Sequence, residues 1–185
     1  MSYNIWQSKS IRLRAVEPSD WEFFTQFDQD SDTARRVDRI YFPKSRAGAR
    51  EWAERMALRP PEGDLFMLVI ENDAGQPVGS INSHTCERAN GTFKYGVSIN
   101  RQHRGKGHAT EAICLLLRYF FEELRYQKVT AHVYSFNEES IRLHRRLGFQ
   151  QEGLLRRMVY TQGQYHDELL FGMTAEEFQT LYAAR

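Results

Sequence analysis

The chain has 185 residues, the length of one ordinary domain, and its 41% apolar and 26% charged residues exclude a disordered or fibrous protein. Its 25 basic and 24 acidic residues nearly cancel. No general field therefore draws nucleic acid or an anionic membrane, and a phosphate ligand must be held by a local device.

The first ten residues lack the basic-then-apolar layout of a secretory leader, and no apolar run is long enough to span a bilayer. Cys86 and Cys114 have neither metal-site nor disulfide spacing. The expectation is one cytoplasmic domain over residues 1–185, with no metal, nucleic-acid or membrane partner. In chain order, Ile11, Leu13 and Ala15 alternate with Arg12 and Arg14, the pattern of a half-buried strand. Glu17-Pro18-Ser19-Asp20 supplies a helix start, followed by Trp21, Phe24 and Phe27 at three-residue spacing. A second helix is predicted through Ala49, Trp52, Ala53 and Met56, stopped by Pro60-Pro61. Residues 65–70 form a short apolar strand, and Asp73-Ala74-Gly75 turns the chain into another from Val78. After Ala89-Asn90-Gly91, residues 93–99 make a further strand that runs into a turn with two glycines.

The next segment is the strongest helix in the chain. Ala112, Ile113, Leu116, Leu117, Phe120, Phe121 and Leu124 share one face, and burying the larger of these contributes roughly 1.5–3 kcal/mol each before entropy. Cys114 in that helix is expected to be a buried, inert thiol. Val129, Ala131 and Val133 then form one face of a strand, and Thr130, His132 and Tyr134 the other. A short helix from Asn137 to about Leu147 is stopped by Gly148, and two final strands, 149–160 and 165–173, flank Thr161-Gln162-Gly163-Gln164. These elements make a layered α/β structure, helices covering a mixed sheet.

Chemistry concentrates in Gln102-His103-Arg104-Gly105-Lys106-Gly107-His108-Ala109, between a strand and the long helix. The first turn of a helix leaves backbone N–H groups unpaired at the positive end of its dipole. Gly105 and Gly107 let those groups approach an anion without an intervening Cβ. The alternative is a tight connection whose glycines only turn the chain. The turn lacks the Gly-Lys-Ser/Thr ending of a nucleoside-triphosphate loop and the full G-x-G-x-x-G of a dinucleotide fold.

With Tyr95-Gly96-Val97-Ser98-Ile99 before it, and Asn137-Glu138-Glu139-Ser140 and Leu147-Gly148-Phe149 after it, this turn resembles the cofactor pattern of the GNAT acetyltransferase superfamily, particularly its RimJ/RimL-like branch. The resemblance covers residues 65–173 well and the first sixty by general layout. It implies a single-domain α/β (α+β) fold: a mixed, mostly antiparallel central sheet flanked by helices, with a splayed strand pair at the cofactor site. It further implies acetyl-CoA as co-substrate, its pyrophosphate on the backbone of residues 102–109. The pantetheine arm would lie along Val97, Ser98 and Ile99, and a peptide-like arm suits a strand edge. Asn137 and Ser140 would lie near that arm, although Asn137 also suits a helix cap.

An amine must lose a proton before it attacks a thioester, and the departing thiolate benefits from a donor. Relatives place a tyrosine on the short helix as that donor; the corresponding residue here is His144. It could donate when protonated, or be a satisfied core histidine. His132 is the candidate base, with a reference pKa suited to neutrality, against an exposed polar-face reading. Tyr95, Glu87 and His84 are weaker substitutes. Neither cysteine is placed for an acetyl-enzyme, so direct attack in a ternary complex is expected. A protein α-amine costs roughly 3.5 kcal/mol less to deprotonate than a lysine or polyamine amine, from a difference of about 2.6 pKa units. The expected acceptor is thus a protein or peptide N-terminus or an amino-acid-like amine. A polyamine or other small amine, and a non-catalytic acetyl-CoA sensor, are the alternatives. The resemblance implies an acceptor pocket between the first two helices and the final hairpin. The aromatics Trp21, Phe24, Phe27, Tyr41, Phe42 and Trp52 of this half read as core or as pocket wall, and Asp28, Asp30, Asp32 and Asp38 as a cation lure or a solvated face. The final hairpin or a sheet edge suits a homodimer contact.

Overall fold

The computed structural model describes residues 4–60 and 62–182. Its strands are β1 (Ile11–Ala15), β2 (Met67–Asn72), β3 (Pro77–Glu87), β4 (Thr92–Ile99), β5 (Lys128–Tyr134), β6 (Gln150–Thr161) and β7 (Gln164–Thr174). The helices are α1 (Trp21–Gln29), α2 (Ser31–Val37), α3 (Arg46–Leu58), α4 (His108–Arg118), α5 (Glu138–Leu147) and α6 (Ala175–Tyr182). The sheet runs β1-β2-β3-β4-β5-β7-β6. Pairings are antiparallel for β1–β2, β2–β3, β5–β7 and β6–β7, and parallel for β4–β5. No helix among the described residues is long and apolar enough to cross a membrane. The chain divides into two compact units: residues up to Asn82 with Val97–Leu115, and Ser83–Gly96 with the described residues from Leu116 onward.

In the first unit β1 pairs with β2 from Ile11↔Asn72 to Ala15↔Leu68. Ile11 and Leu13 point into the core as predicted, but Ala15 is exposed and Val16 takes the next inward place. The strand stops there because the chain turns into a capping box at Glu17 and Asp20. Asp20 is 4% exposed, and Arg14 grips it with two hydrogen bonds of 2.8 Å while also donating to Glu71 at 2.5 Å. Burial works against the Asp20 charge, but the bonds from Arg14 and the Glu17 amide outweigh it and hold its pKa below the ordinary value. In α1 the buried ring is Phe23, around which Phe24 and Phe27 sit edge-on; the three-residue spacing of Trp21, Phe24 and Phe27 marks the flank of the helix instead.

α2 is absent from the sequence expectation. Its Asp32-Thr33-Ala34-Arg35-Arg36 run has no apolar period, and the cap makes it: Asp30 Oδ1 accepts from the amides of Asp32 and Thr33. α3 ends at Leu58, before Pro60; Pro61 lies outside the described residues.

In the second unit β5 pairs along its whole length with β7, Lys128↔Thr174 to Tyr134↔Glu168. Its parallel register with β4 covers only Thr92↔Lys128 to Lys94↔Thr130, so the two strands part after three residue pairs. The core centres on Phe93, stacked on Phe120 at 3.9 Å and 15°, with Tyr126 edge-on to both. The long helix was predicted to run regularly to Leu124. It widens instead into a π turn at Tyr119–Glu123, closed by the Leu124 N–H on the Tyr119 carbonyl. α6 also went unpredicted, although Thr174 and Glu177 exchange reciprocal side-chain-to-backbone bonds at its start and Phe178 is buried behind them. Phe120→Ala removes a fully buried ring and should lower the unfolding free energy by about 3–5 kcal/mol in a urea titration. A loss below about 1 kcal/mol would show that this aromatic stack is not what holds the unit.

Candidate active site

The turn after β4 is built by Asn100. Its amide donates to Val78 O at 2.9 Å, its carbonyl accepts from His103 N–H at 2.8 Å, and its side chain accepts from Gln102 N–H at 3.3 Å. Arg104 N–H reaches Arg101 O at 3.4 Å. The amides of Gln102, His103 and Arg104 are therefore occupied inside a 3-10 turn, which leaves the stretch from Gly105 onward for the anion that the sequence predicts. Gly105 has φ +75° and Gly107 φ +87°, and nothing lies within 4 Å of where either Cβ would be. Both the left-handed backbone and the open space fit an anion drawn close to the main chain. α4 begins at His108, and Glu111 N–H bonds to Gly107 O at 3.1 Å, so the amides ahead of Glu111 belong to the helix's positive first turn.

Side chains fasten this turn. Arg104 Nε donates to Ile99 O at 3.1 Å and Nη2 to Thr33 Oγ1 at 2.7 Å. Arg101 forks onto Asp30, both bonds 3.1 Å, and reaches Asp32 at 3.2 Å. Burial would raise the Asp30 pKa, yet bonds from Thr33 and Arg101 push it down to about 2. Glu111 accepts from Ser10 Oγ at 2.6 Å and Ser8 Oγ at 2.5 Å, securing the head of α4. Lys106 and Gln102 are exposed, Ala109 is half-buried, and His108 is buried. The Nδ1 atoms of His103 and His108 are buried without a hydrogen-bond partner among the described residues. Burial, then Lys106 and His108, lowers the His103 pKa.

Val97, Ser98 and Ile99 are half-buried at the end of β4. Gly79 of β3 lets them come close: a Cβ there would meet Ser98 O at 2.4 Å and Ile99 Cδ1 at 2.7 Å. Ser98 Oγ is buried with no partner among the described residues, and Ser98 borders a cavity of about 270 Å³ whose other walls come from α1, α2, α3, the segment before α3, and Met67 and Ser80 of β2 and β3. The predicted aromatics divide here. Phe24, Phe27, Tyr41 and Trp52 line the cavity, whereas Phe42 is almost fully exposed and Trp21 lies under Arg50. The four aspartates are all engaged: Asp28 by Lys44 at 3.1 Å, Asp30 and Asp32 by Arg101, and Asp38 by the Tyr41 hydroxyl.

In the second unit Asn137 caps α5, its Oδ1 accepting from Ser140 N–H at 3.2 Å. His144 is 2% exposed and sits between Phe149 and Phe171. Its Nδ1 lies 2.8 Å from Ser140 O, which can only accept, so Nδ1 carries the proton; Nε2 then accepts from the Tyr95 hydroxyl at 2.7 Å. Burial lowers the His144 pKa, opposed by the Ser140 carbonyl, so the ring is neutral at neutral pH. Tyr95 enters here as a partner of His144, a pairing that strand alternation alone could not reveal.

His132 stands on the polar face of β5 with Nδ1 3.2 Å from Glu168 Oε2, their side chains 29% and 14% exposed. Glu168 is the residue that sequence reasoning missed: β7 brings it opposite Tyr134, diagonal to His132. His84 feels His132 in the same unit, and its pKa is lowered first by burial, then by Lys94 and His132. Glu87 is exposed and accepts from Asn90. At the closing turn Tyr160 and Tyr165 pack on each other, and Asp167 accepts from Arg157 N–H. Cys86 and Cys114 are both half-buried, which corrects the expectation of a buried Cys114, and neither is in a disulfide. Among the described residues, no group of three or more His, Cys, Asp or Glu side chains could hold a metal ion.

The family model of the acetyltransferase (GNAT) domain matches residues 10–150. The SPbeta prophage-derived uncharacterized N-acetyltransferase YokL of Bacillus subtilis is 42% identical over 179 residues, covering 97% of this chain and 98% of that protein. The spermidine N(1)-acetyltransferase of Escherichia coli K12 is 26% identical, covering 86% of this chain and 83% of its own. In fold, the chain matches the spermidine N-acetyltransferase of Vibrio cholerae crystallised with CoA and spermine, at a TM-score of 0.79 and 21% identity, over 91% of this chain and 97% of that one. With a glycine turn open to an anion at the head of α4, a β4–β5 pair that parts after three residues, and these matches along its length, the chain belongs to the GNAT acetyltransferase family and is an acyltransferase.

Proposed function

We propose that the whole chain works as one N-acetyltransferase domain that moves the acetyl group of acetyl-CoA to the α-amine of a peptide or amino-acid-like acceptor, in the manner of the RimJ/RimL-like branch. The observation that carries the donor half is the pair of left-handed glycines, Gly105 and Gly107, with open space beside them. Acetyl-CoA supplies an activated thioester. The backbone of Gly105, Lys106, Gly107, His108 and Ala109 holds its pyrophosphate, flanked by the side chains of Gln102 and His103. Arg104 contributes by holding the turn's shape through Thr33 and Ile99. Val97, Ser98 and Ile99 offer a strand edge to the amides of the pantetheine arm. Asn137 and Ser140 contribute at the head of α5, where Asn137 is already the cap.

The acceptor nitrogen forms the new C–N bond as the C–S bond breaks, one proton leaves the amine and one is taken by sulfur. His132 takes the amine proton, its ring turned by Glu168 so that Nε2 faces away from the carboxylate. His144, held neutral, acts on the leaving thiolate through the Tyr95 hydroxyl that it orients. For this the Tyr95 O–H turns from His144 Nε2 to sulfur, gives up its proton as the C–S bond breaks, and is reprotonated after the thiol departs. The α-amine reading is supported by the lower pKa of such amines and by 27% identity to the ribosomal N-acetyltransferase YdaF, itself named as putative. A polyamine acceptor is the second reading, favoured by the similarity to spermidine N(1)-acetyltransferase.

The deciding experiment incubates the purified chain with acetyl-CoA and a panel of peptides, amino-acid amides and polyamines, following thiol release and product mass. Binding of acetyl-CoA without transfer to any amine would leave a sensor. Gly107→Val places a branched side chain at positive φ and against the anion, and should weaken CoA binding at least about tenfold by calorimetry while costing only about 1–2 kcal/mol of stability. Unchanged affinity would remove the turn from the site. His132→Asn and Glu168→Gln should each lower kcat, and the double variant should fall little below His132→Asn alone, because the two act as one unit; additive losses would separate them. His144→Gln should lower kcat with CoA affinity intact. Since the folded pKa of His144 is depressed, its stabilisation is complete above the ordinary value of 6.5 and is lost as pH falls below it. The variant should therefore lose less thermal stability than the parent between about pH 6.5 and pH 5.

A further inference from the structure

We infer that the acceptor carries a compact aromatic or branched apolar body beside its reacting amine, and that a linear polyamine fits poorly; this rests on the acetyl-transfer reading above. The cavity in the first unit holds about 270 Å³, which suits one amino-acid-sized group better than an extended chain. Phe24, Phe27, Val37, Trp52 and Met67 give it apolar walls. Ser98 borders it, on the strand proposed to carry the pantetheine arm, and its Oγ is buried and without a partner among the described residues. A few polar groups at the border of an apolar pocket orient a body that is otherwise held by burial.

Charge argues against a polycation. The cavity is bordered by Asp28 and Asp38, but also by Arg39 and Lys44, so its formal charges cancel. Lys44 already pairs with Asp28 at 3.1 Å, and Asp38 already accepts from Tyr41. The cavity's Tyr41 and Trp52 rings, the stronger attractors of ammonium groups, already hold cations: Arg39 lies 4.7 Å from the centroid of Tyr41, and Lys44 5.8 Å from that of Trp52. A polyamine would have to displace these cations, exchanging one ammonium for another at little gain. An apolar body displaces only water.

The test compares phenylalaninamide, a peptide beginning with phenylalanine, glycinamide and spermidine as acceptors for the full chain with acetyl-CoA, reading kcat/KM from thiol release. Phenylalaninamide should exceed glycinamide at least about tenfold and should also exceed spermidine. The peptide arm distinguishes a protein N-terminus from a free amine as the source of the same chemistry. Trp52→Ala should reduce the aromatic preference while the CoA dissociation constant stays within about twofold. Trp52→Phe should restore most of that preference. A flat series, or spermidine ahead of phenylalaninamide, overturns the inference and leaves acetyl transfer standing. CoA binding with no thiol release for any amine overturns both. Should Trp52→Ala fail to fold, the acceptor series on the parent chain still decides.

Discussion

Two arginines decide whether the glycine turn has a shape to offer. A loop with two left-handed glycines has many conformations and holds a diphosphate only if something else fixes it. Arg104 and Arg101 do so by reaching from the turn to α2, the one to Thr33 and the other to Asp30. Asp30 serves two purposes at once: it caps α2 and neutralises Arg101, and its depressed pKa expresses both. The helix that lines the cavity and the turn proposed to meet the donor are thus fastened by shared side chains. Disturbing either end loosens the other, because neither the short helix nor the turn buries enough apolar surface to stand alone.

The legible part of the molecule is the part written in periodic or steric terms. The stripe Ala112, Ile113, Leu116, Leu117 and Phe120 is buried as read, and Val129, Ala131 and Val133 face inward while His132 faces the polar side. The glycine turn was found because only glycine combines left-handed backbone with open space. What stayed hidden depended on capping and on pairing across long sequence separations. α2 is held by a single aspartate cap, and α6 by a Thr174–Glu177 exchange that a closer reading of Thr174-Ala175-Glu176-Glu177 could have found. The π turn after α4 leaves no trace in a helical stripe, since its inward residues remain Phe120 and Phe121.

The two histidines show the same limit within the site. Alternation placed His132 but could not supply Glu168, because strand register is set by the whole β5–β7 ladder. His144 was placed on the correct face of α5, yet its state follows from atoms 4 and 49 positions away, the Ser140 carbonyl and the Tyr95 hydroxyl. With one nitrogen donating and the other accepting, the ring is a satisfied neutral dipole between two phenylalanines. The phenol beside this ring is supplied from β4, by Tyr95.

Gly79 carries a consequence of a different kind. It touches no proposed ligand, yet the Ser98 carbonyl stands 2.4 Å from where its side chain would begin. Even the smallest addition, one methyl group, would force the end of β4 outward and carry with it the ledge along which the donor's arm is proposed to lie. The codon for residue 79 is therefore closed to every other encoded amino acid, and a change there would be inherited as a fault in a binding site it never meets.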